Sequence, residues 1–124
     1  MSQHGGKSMF FVEYPKCSTC QKAKKWLDEH GIAYEDRHIV ENNPTYEELK
    51  DWYGRSGLPL KKFFNTSGML YKEMKLKYKL PTMSEDEQLQ LLATNGMLVK
   101  RPVIVDGDTV FTGFKAAEWE EKLL

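Results

Sequence analysis

Two cysteines three positions apart, in the run Tyr14-Pro15-Lys16-Cys17-Ser18-Thr19-Cys20, carry the chemistry of this sequence. A thiol becomes a nucleophile only as its thiolate, so its surroundings decide its reactivity. Cys17 falls where an apolar, β-prone run ends and a helical pattern begins. Unpaired N–H groups and a positive partial charge at a helix N-terminus favour a thiolate there. Lys16 and Lys22 add positive charge, and Arg101 is expected alongside. Cys20 lies one turn on, on the same helix face and within reach of a disulfide. In this reading Cys17 attacks and Cys20 resolves the mixed disulfide. Zinc would need a second ligand pair, and no second CxxC or His-x-x-x-His occurs; His4, His30 and His38 are scattered. The remaining alternative is a pair of inert core cysteines, and the strand–helix junction argues against that for Cys17.

The elements that must hold this motif follow from periodicity. Residues 9–14, MFFVEY, read as a buried strand, and the segment from Cys17 as a helix burying Cys20, Ala23 and Leu27, with Trp26 and His30 at its flanks. Gly31 stops it. Residues 32–39 read as a second strand, completing a βαβ unit. Thr45 with Glu48, and Ser84 with Glu87, make two capping boxes. Leu49, Trp52 and Tyr53 form the first buried face behind them; Leu89, Leu92 and Ala93 form the second. Between these helices, residues 60–80 read as short helical pieces rich in lysine (Lys61, Lys62, Lys72, Lys75, Lys77, Lys79). That run is read as a solvated face, with Tyr71, Met74, Leu76 and Tyr78 as core. Residues 101–105 and 109–112 flank Asp106-Gly107-Asp108 as a hairpin. Ala116, Trp119 and Leu123 set a last helix against the sheet. Arg101-Pro102 opens the third strand, where a missing N–H is tolerated and an X-Pro bond is a candidate for cis.

The predicted order is βαβ, a helical insert over residues 43–95, then ββα: an α/β, thioredoxin-like fold with a mixed four-stranded sheet. The 124 residues fit a single such domain over 9–124, with residues 1–8, MSQHGGKS, as a flexible leader or artificial remnant before Met9. Lys+Arg and Asp+Glu are both 18, which gives no support for binding nucleic acid or membrane through bulk charge. Two closely spaced cysteines and the lack of a signal-peptide pattern point to the cytoplasm.

Taken together, four motifs resemble the arsenate reductase/Spx family across nearly the whole chain. They are Tyr14–Cys20, Asn43-Pro44-Thr45, Leu98-Val99-Lys100-Arg101-Pro102-Val103 and Gly113-Phe114. The resemblance implies a thioredoxin-like core in which Cys17 is the nucleophile and Cys20 the second thiol. Arg101, with Lys61 or Lys62 in place of an insert arginine, would bind an oxyanion. Pro102 would face the thiol as a cis-proline, with Ser18 and Thr19 shaping the loop. No bound cofactor or metal is implied; the reductant would be glutathione or a thioredoxin or glutaredoxin. Reductases of this type often keep an arginine after the motif and another near the last strand. Here those positions hold Gln21 and Gly113. A dianion is best held by forked donors, so specific arsenate reduction is not expected. The CxxC itself matches Spx-like proteins, which implies a redox switch and, as partner, the RNA polymerase α C-terminal domain.

Overall fold

The computed structural model describes residues 9–124; the expected leader, residues 1–8, lies outside the described residues. Strand β1, Phe10–Glu13, runs into helix α1, Ser18–Glu29, and then strand β2, Glu35–His38. The second strand is shorter than expected, because Ile32 N–H bonds back to the Leu27 carbonyl (3.0 Å) around Gly31, whose φ is +65°. That closing turn consumes residues 30–34. Helix α2, Tyr46–Ser56, starts at the expected Thr45/Glu48 box and ends at left-handed Gly57. Next come a 3₁₀ turn, Leu60–Phe63, and the short helices α3, Met69–Glu73, and α4, Leu76–Lys79. Helix α5, Glu85–Leu92, opens on the Ser84/Glu87 box. Strands β3, Val103–Asp106, and β4, Thr109–Thr112, form the hairpin, and helix α6, Ala116–Leu123, closes the chain.

The sheet order is β2-β1-β3-β4, with β1 parallel to β2 and antiparallel to β3, and β3 antiparallel to β4. This is the expected thioredoxin-like arrangement. Strand alternation divides the core between the two faces. Phe11, Ile104 and Phe111 pack with Ala23, Trp26 and Leu27 of α1 and Trp119 of α6. Val12, Val103, Val105 and Val110 pack with Leu49, Trp52, Leu89 and Leu92 of α2 and α5 and with the insert. The insert therefore covers the face opposite α1.

Three core assignments differ. His30 is exposed, since α1 has already ended. Ala116 is exposed, leaving Trp119 as the fully buried anchor of α6. Tyr78 is 72% exposed, because the four-residue α4 can turn only one side inward and uses Leu76 for it. Among the described residues, no helix is long and apolar enough to cross a membrane.

Candidate functional site

Cys17 is the N-cap of α1, with extended backbone (φ −82°, ψ 122°). A turn sets it there: its N–H bonds to the Tyr14 carbonyl (2.9 Å), and its own carbonyl accepts the Gln21 N–H (3.0 Å). The Gln21 side chain, one turn in, donates to the Pro15 carbonyl (2.9 Å) and ties the loop to the helix. Cys17 is partly exposed and Cys20 is buried (1% exposed), and both are free thiols.

The two sulfurs are driven apart in acidity. At Cys17, burial opposes ionisation and is the largest single influence. It is outweighed together by the Cys20 N–H, the Cys20 thiol, the Arg101 charge and the Thr19 N–H, so the thiol is held below its ordinary value. Cys17 makes no formed cap hydrogen bond through its side chain, so these donors act as a field around the sulfur. At Cys20, burial pushes the thiol up to about 12, aided by Cys17 and by the charge of Glu13, against one favourable backbone contact at Tyr14. One thiol is poised to ionise and its neighbour is held protonated.

Arg101 supplies the cation at this site; Lys16 and Lys22, also expected to help, lie exposed on the surface. Its guanidinium sits over the Tyr14 ring, 5.3 Å from the centroid, and Nη1 donates to the Met97 carbonyl (3.4 Å). Its Nε is buried without a partner among the described residues. The Arg101-Pro102 peptide bond is cis, as anticipated, and Pro102 is buried with its carbonyl taking the Gly113 N–H (2.8 Å). Ser18 and Thr19 form the exposed first turn.

The insert lysines sit on the 3₁₀ turn Leu60–Phe63. Lys61 lines a cavity of about 290 Å³ with Leu60, Tyr71, Lys77 and Leu80, and neither cysteine nor Arg101 borders it. Lys62 is exposed; its carbonyl, not its ammonium, is engaged, by the Thr112 hydroxyl (2.7 Å). The chain has three arginines, and the other two are committed: Arg37 to Glu48, Arg55 to Asp51 and the Gly107 carbonyl. Arg101 is thus the one guanidinium at the thiols.

The residue that sequence reading missed is Glu13. It lies in the apolar run 9–14 and is 5% exposed, the one buried charged residue among those described. Burial pushes its carboxyl up to about 8, reinforced by a hydrogen bond to Asp36 and by the charge of Asp36, against Lys24. A lone acid inside an otherwise apolar strand was the available signal.

Comparison with known proteins matches the ArsC family model over residues 12–122. The chain belongs to the ArsC family. Uncharacterized protein YusI of Bacillus subtilis is 60% identical over 114 residues, covering 92% of this chain and 97% of that protein. Regulatory protein MgsR of the same organism is 30% identical over 112 residues, covering 90% and 87%. The ArsC family related protein of Bacteroides fragilis superposes with a TM-score of 0.90 at 63% identity, covering 93% of this chain and 97% of that one. A possible arsenate reductase of Streptococcus mutans gives 0.86 at 42% identity, covering 94% and 100%. The thioredoxin-like fold and the family resemblance drawn from the motifs are therefore established.

Proposed function

We propose that this chain is a cytoplasmic thiol–disulfide redox protein in which Cys17 attacks and Cys20 resolves. The observation that carries this reading is the placement of the two free thiols, Cys17 partly exposed at the N-cap of α1 and Cys20 buried one turn further in, with burial holding the second thiol protonated. The more acidic thiol is the accessible one, as a nucleophile must be; the buried one meets only what is already bonded to its neighbour. The external reductant is a small thiol such as glutathione, or a thioredoxin or glutaredoxin. Mild oxidation with diamide followed by thiol titration and intact mass tests the proposal. The expected product is a monomer lacking two thiols and two hydrogens. Both thiols surviving free would overturn it.

A regulatory reading is supported by the likeness to MgsR, a regulatory protein. In it the same disulfide gates contact with a protein partner, the RNA polymerase α C-terminal domain. A pull-down with that domain, oxidised against reduced, separates the readings: binding in one redox state supports the switch, and binding in neither removes it. Arsenate turnover is expected to be weak at most, because Arg101 is the one guanidinium at the thiols.

A further inference from the structure

The cavity of about 290 Å³ that Lys61 lines lies in the insert, and neither cysteine nor Arg101 borders it. Its volume stands at the lower end of the roughly 300–1,000 Å³ common for small-ligand sites. It exists because this part of the insert is built of short pieces. Lys75, in left-handed backbone (φ 55°), separates α3 from α4. Pro81, which has no N–H to donate, stands in the 3₁₀ turn Leu80–Thr82 that follows α4. These pieces leave a gap against the start of α5, which contributes Glu85 and Gln88 to the lining. Leu60, Leu80 and Pro81 supply apolar lining, and Leu60 and Leu80 are buried.

The polar groups of the lining divide into two sets. Two are engaged by the protein itself: Gln88 Nε2 donates to the Leu80 and Met83 carbonyls (3.2 Å each), and the Glu85 carboxylate accepts the Tyr53 hydroxyl. Three donors are left over. Tyr71 is 5% exposed, yet its hydroxyl has no hydrogen-bond partner among the described residues. A phenol so enclosed ordinarily finds one. Lys61 and Lys77 are exposed and make no ion pair among the described residues, and Lys77 Nζ lies 5.8 Å from the centre of the Tyr78 ring.

We propose that this cavity binds a small organic monoanion, a carboxylate on an apolar body of about ten carbons. The apolar body packs on Leu60, Leu80 and Pro81. The carboxylate accepts the Tyr71 hydroxyl and the Lys61 and Lys77 ammonium groups. Lysine has no acceptor and a tyrosine hydroxyl donates one proton, so the complementary group is an acceptor. Two ammonium charges make that acceptor an anion. Glu85 leaves the lining with a net single positive charge, which suits a monoanion better than a dianion. The site is separate from the thiols, and the proposal does not rest on the redox reading.

The test titrates the reduced, ¹⁵N-labelled full chain with 1-naphthoate, followed by amide chemical shifts. Saturable shifts are expected at Tyr71, Lys77, Leu80 and Gln88. The neutral 1-naphthalenemethanol should bind about fivefold more weakly or worse, and acetate, which lacks the apolar body, should not saturate. Tyr71→Phe deletes only the hydroxyl and should weaken naphthoate binding about threefold. Lys61→Met with Lys77→Met, both at exposed positions, should weaken it about fivefold. No saturation at these amides by about 10 mM naphthoate overturns the proposal. Equal affinity for naphthoate and naphthalenemethanol overturns it too, and needs no variant to fold. So does unchanged naphthoate affinity in Tyr71→Phe. Displacement of naphthoate by an acidic peptide with one phenylalanine, at lower concentration than naphthoate itself, assigns the cavity to a protein segment instead. Broadening of the same amides with protein concentration alone assigns it to a second copy of this chain, and either result overturns the proposal.

Discussion

Replacing Arg37 with Met removes the clamp that fixes the insert to the edge of the sheet. Arg37 stands on β2 with its side chain 10% exposed, and it grips Glu48 of α2 with two bonds of 2.6 and 2.8 Å. Its Nε also donates to the Asn42 carbonyl (3.0 Å), and the guanidinium lies over the Trp52 ring. Hydrogen bonds to charged groups contribute about 1.5–3 kcal/mol, and breaking a fully buried pair costs about 3–5. Glu48 is 34% exposed, so water recovers part of that loss, and about 2 kcal/mol is expected. For a chain of this length that corresponds to a fall in Tm of roughly 8 °C.

The pH dependence sharpens this. The bond to Arg37 is the largest influence on Glu48; burial opposes it, and the Thr45 N–H and the Arg37 charge add, so the carboxyl is held below its ordinary range. A depressed folded value stabilises above the unfolded value of about 4.3 and fades as pH falls through the folded one. Urea unfolding of wild type and Arg37→Met should therefore differ by about 2 kcal/mol at pH 7. The gap should narrow as pH drops toward 3. A gap unchanged between pH 7 and pH 3, or below about 0.5 kcal/mol at pH 7, would refute the reasoning.

Gly96→Ala should cost about 3 kcal/mol by chemical denaturation, since an added Cβ would lie 2.1 Å from the Ile39 carbonyl oxygen, a backbone atom that cannot swing aside. The segment displaced leads directly to Arg101, so slower alkylation of Cys17 should accompany the lost stability. Trp119→Ala should cost about 3–5 kcal/mol, because the fully buried ring meets Trp26, Phe111 and Phe114 edge to face. Arg101→Gln, in a Cys20→Ser background, should raise the pH midpoint of Cys17 alkylation, because it removes a positive charge that favours the thiolate.

Legibility in the sequence followed how local each signal was. Both capping boxes, the Gly31 stop and the hairpin at Gly107 are written within a few residues, and each stands where expected. Cys17 at the start of α1 and the cis bond at Pro102 were legible for the same reason, the second only with the family resemblance. The failures concern contacts between distant segments. Lys61, given an anion role at the thiols only by the family resemblance, lines a cavity of the insert that neither cysteine nor Arg101 borders, while Lys62 lies exposed beside Thr112. Tyr78 reads as core by residue type alone, but the four-residue α4 uses Leu76 as its inward side chain. Glu13 went unnoticed because its partners, Asp36 and Cys20, are on other elements, and the lone acid in the apolar run 9–14 was the one local sign of it.

The central claim is that Cys17 is the acidic, attacking thiol and Cys20 the protonated, resolving one. Iodoacetamide alkylation rates against pH, measured on Cys20→Ser and Cys17→Ser, test it directly. Cys20→Ser, which keeps Cys17, should react faster at neutral pH, with a midpoint below the roughly 8.5 of a free cysteine. Cys17→Ser should react slowly up to the most alkaline pH the fold tolerates, because burial, the largest influence on Cys20, still holds its thiol above the ordinary value. Faster reaction of Cys17→Ser would reverse the roles of nucleophile and resolver and contradict the account at its first residue.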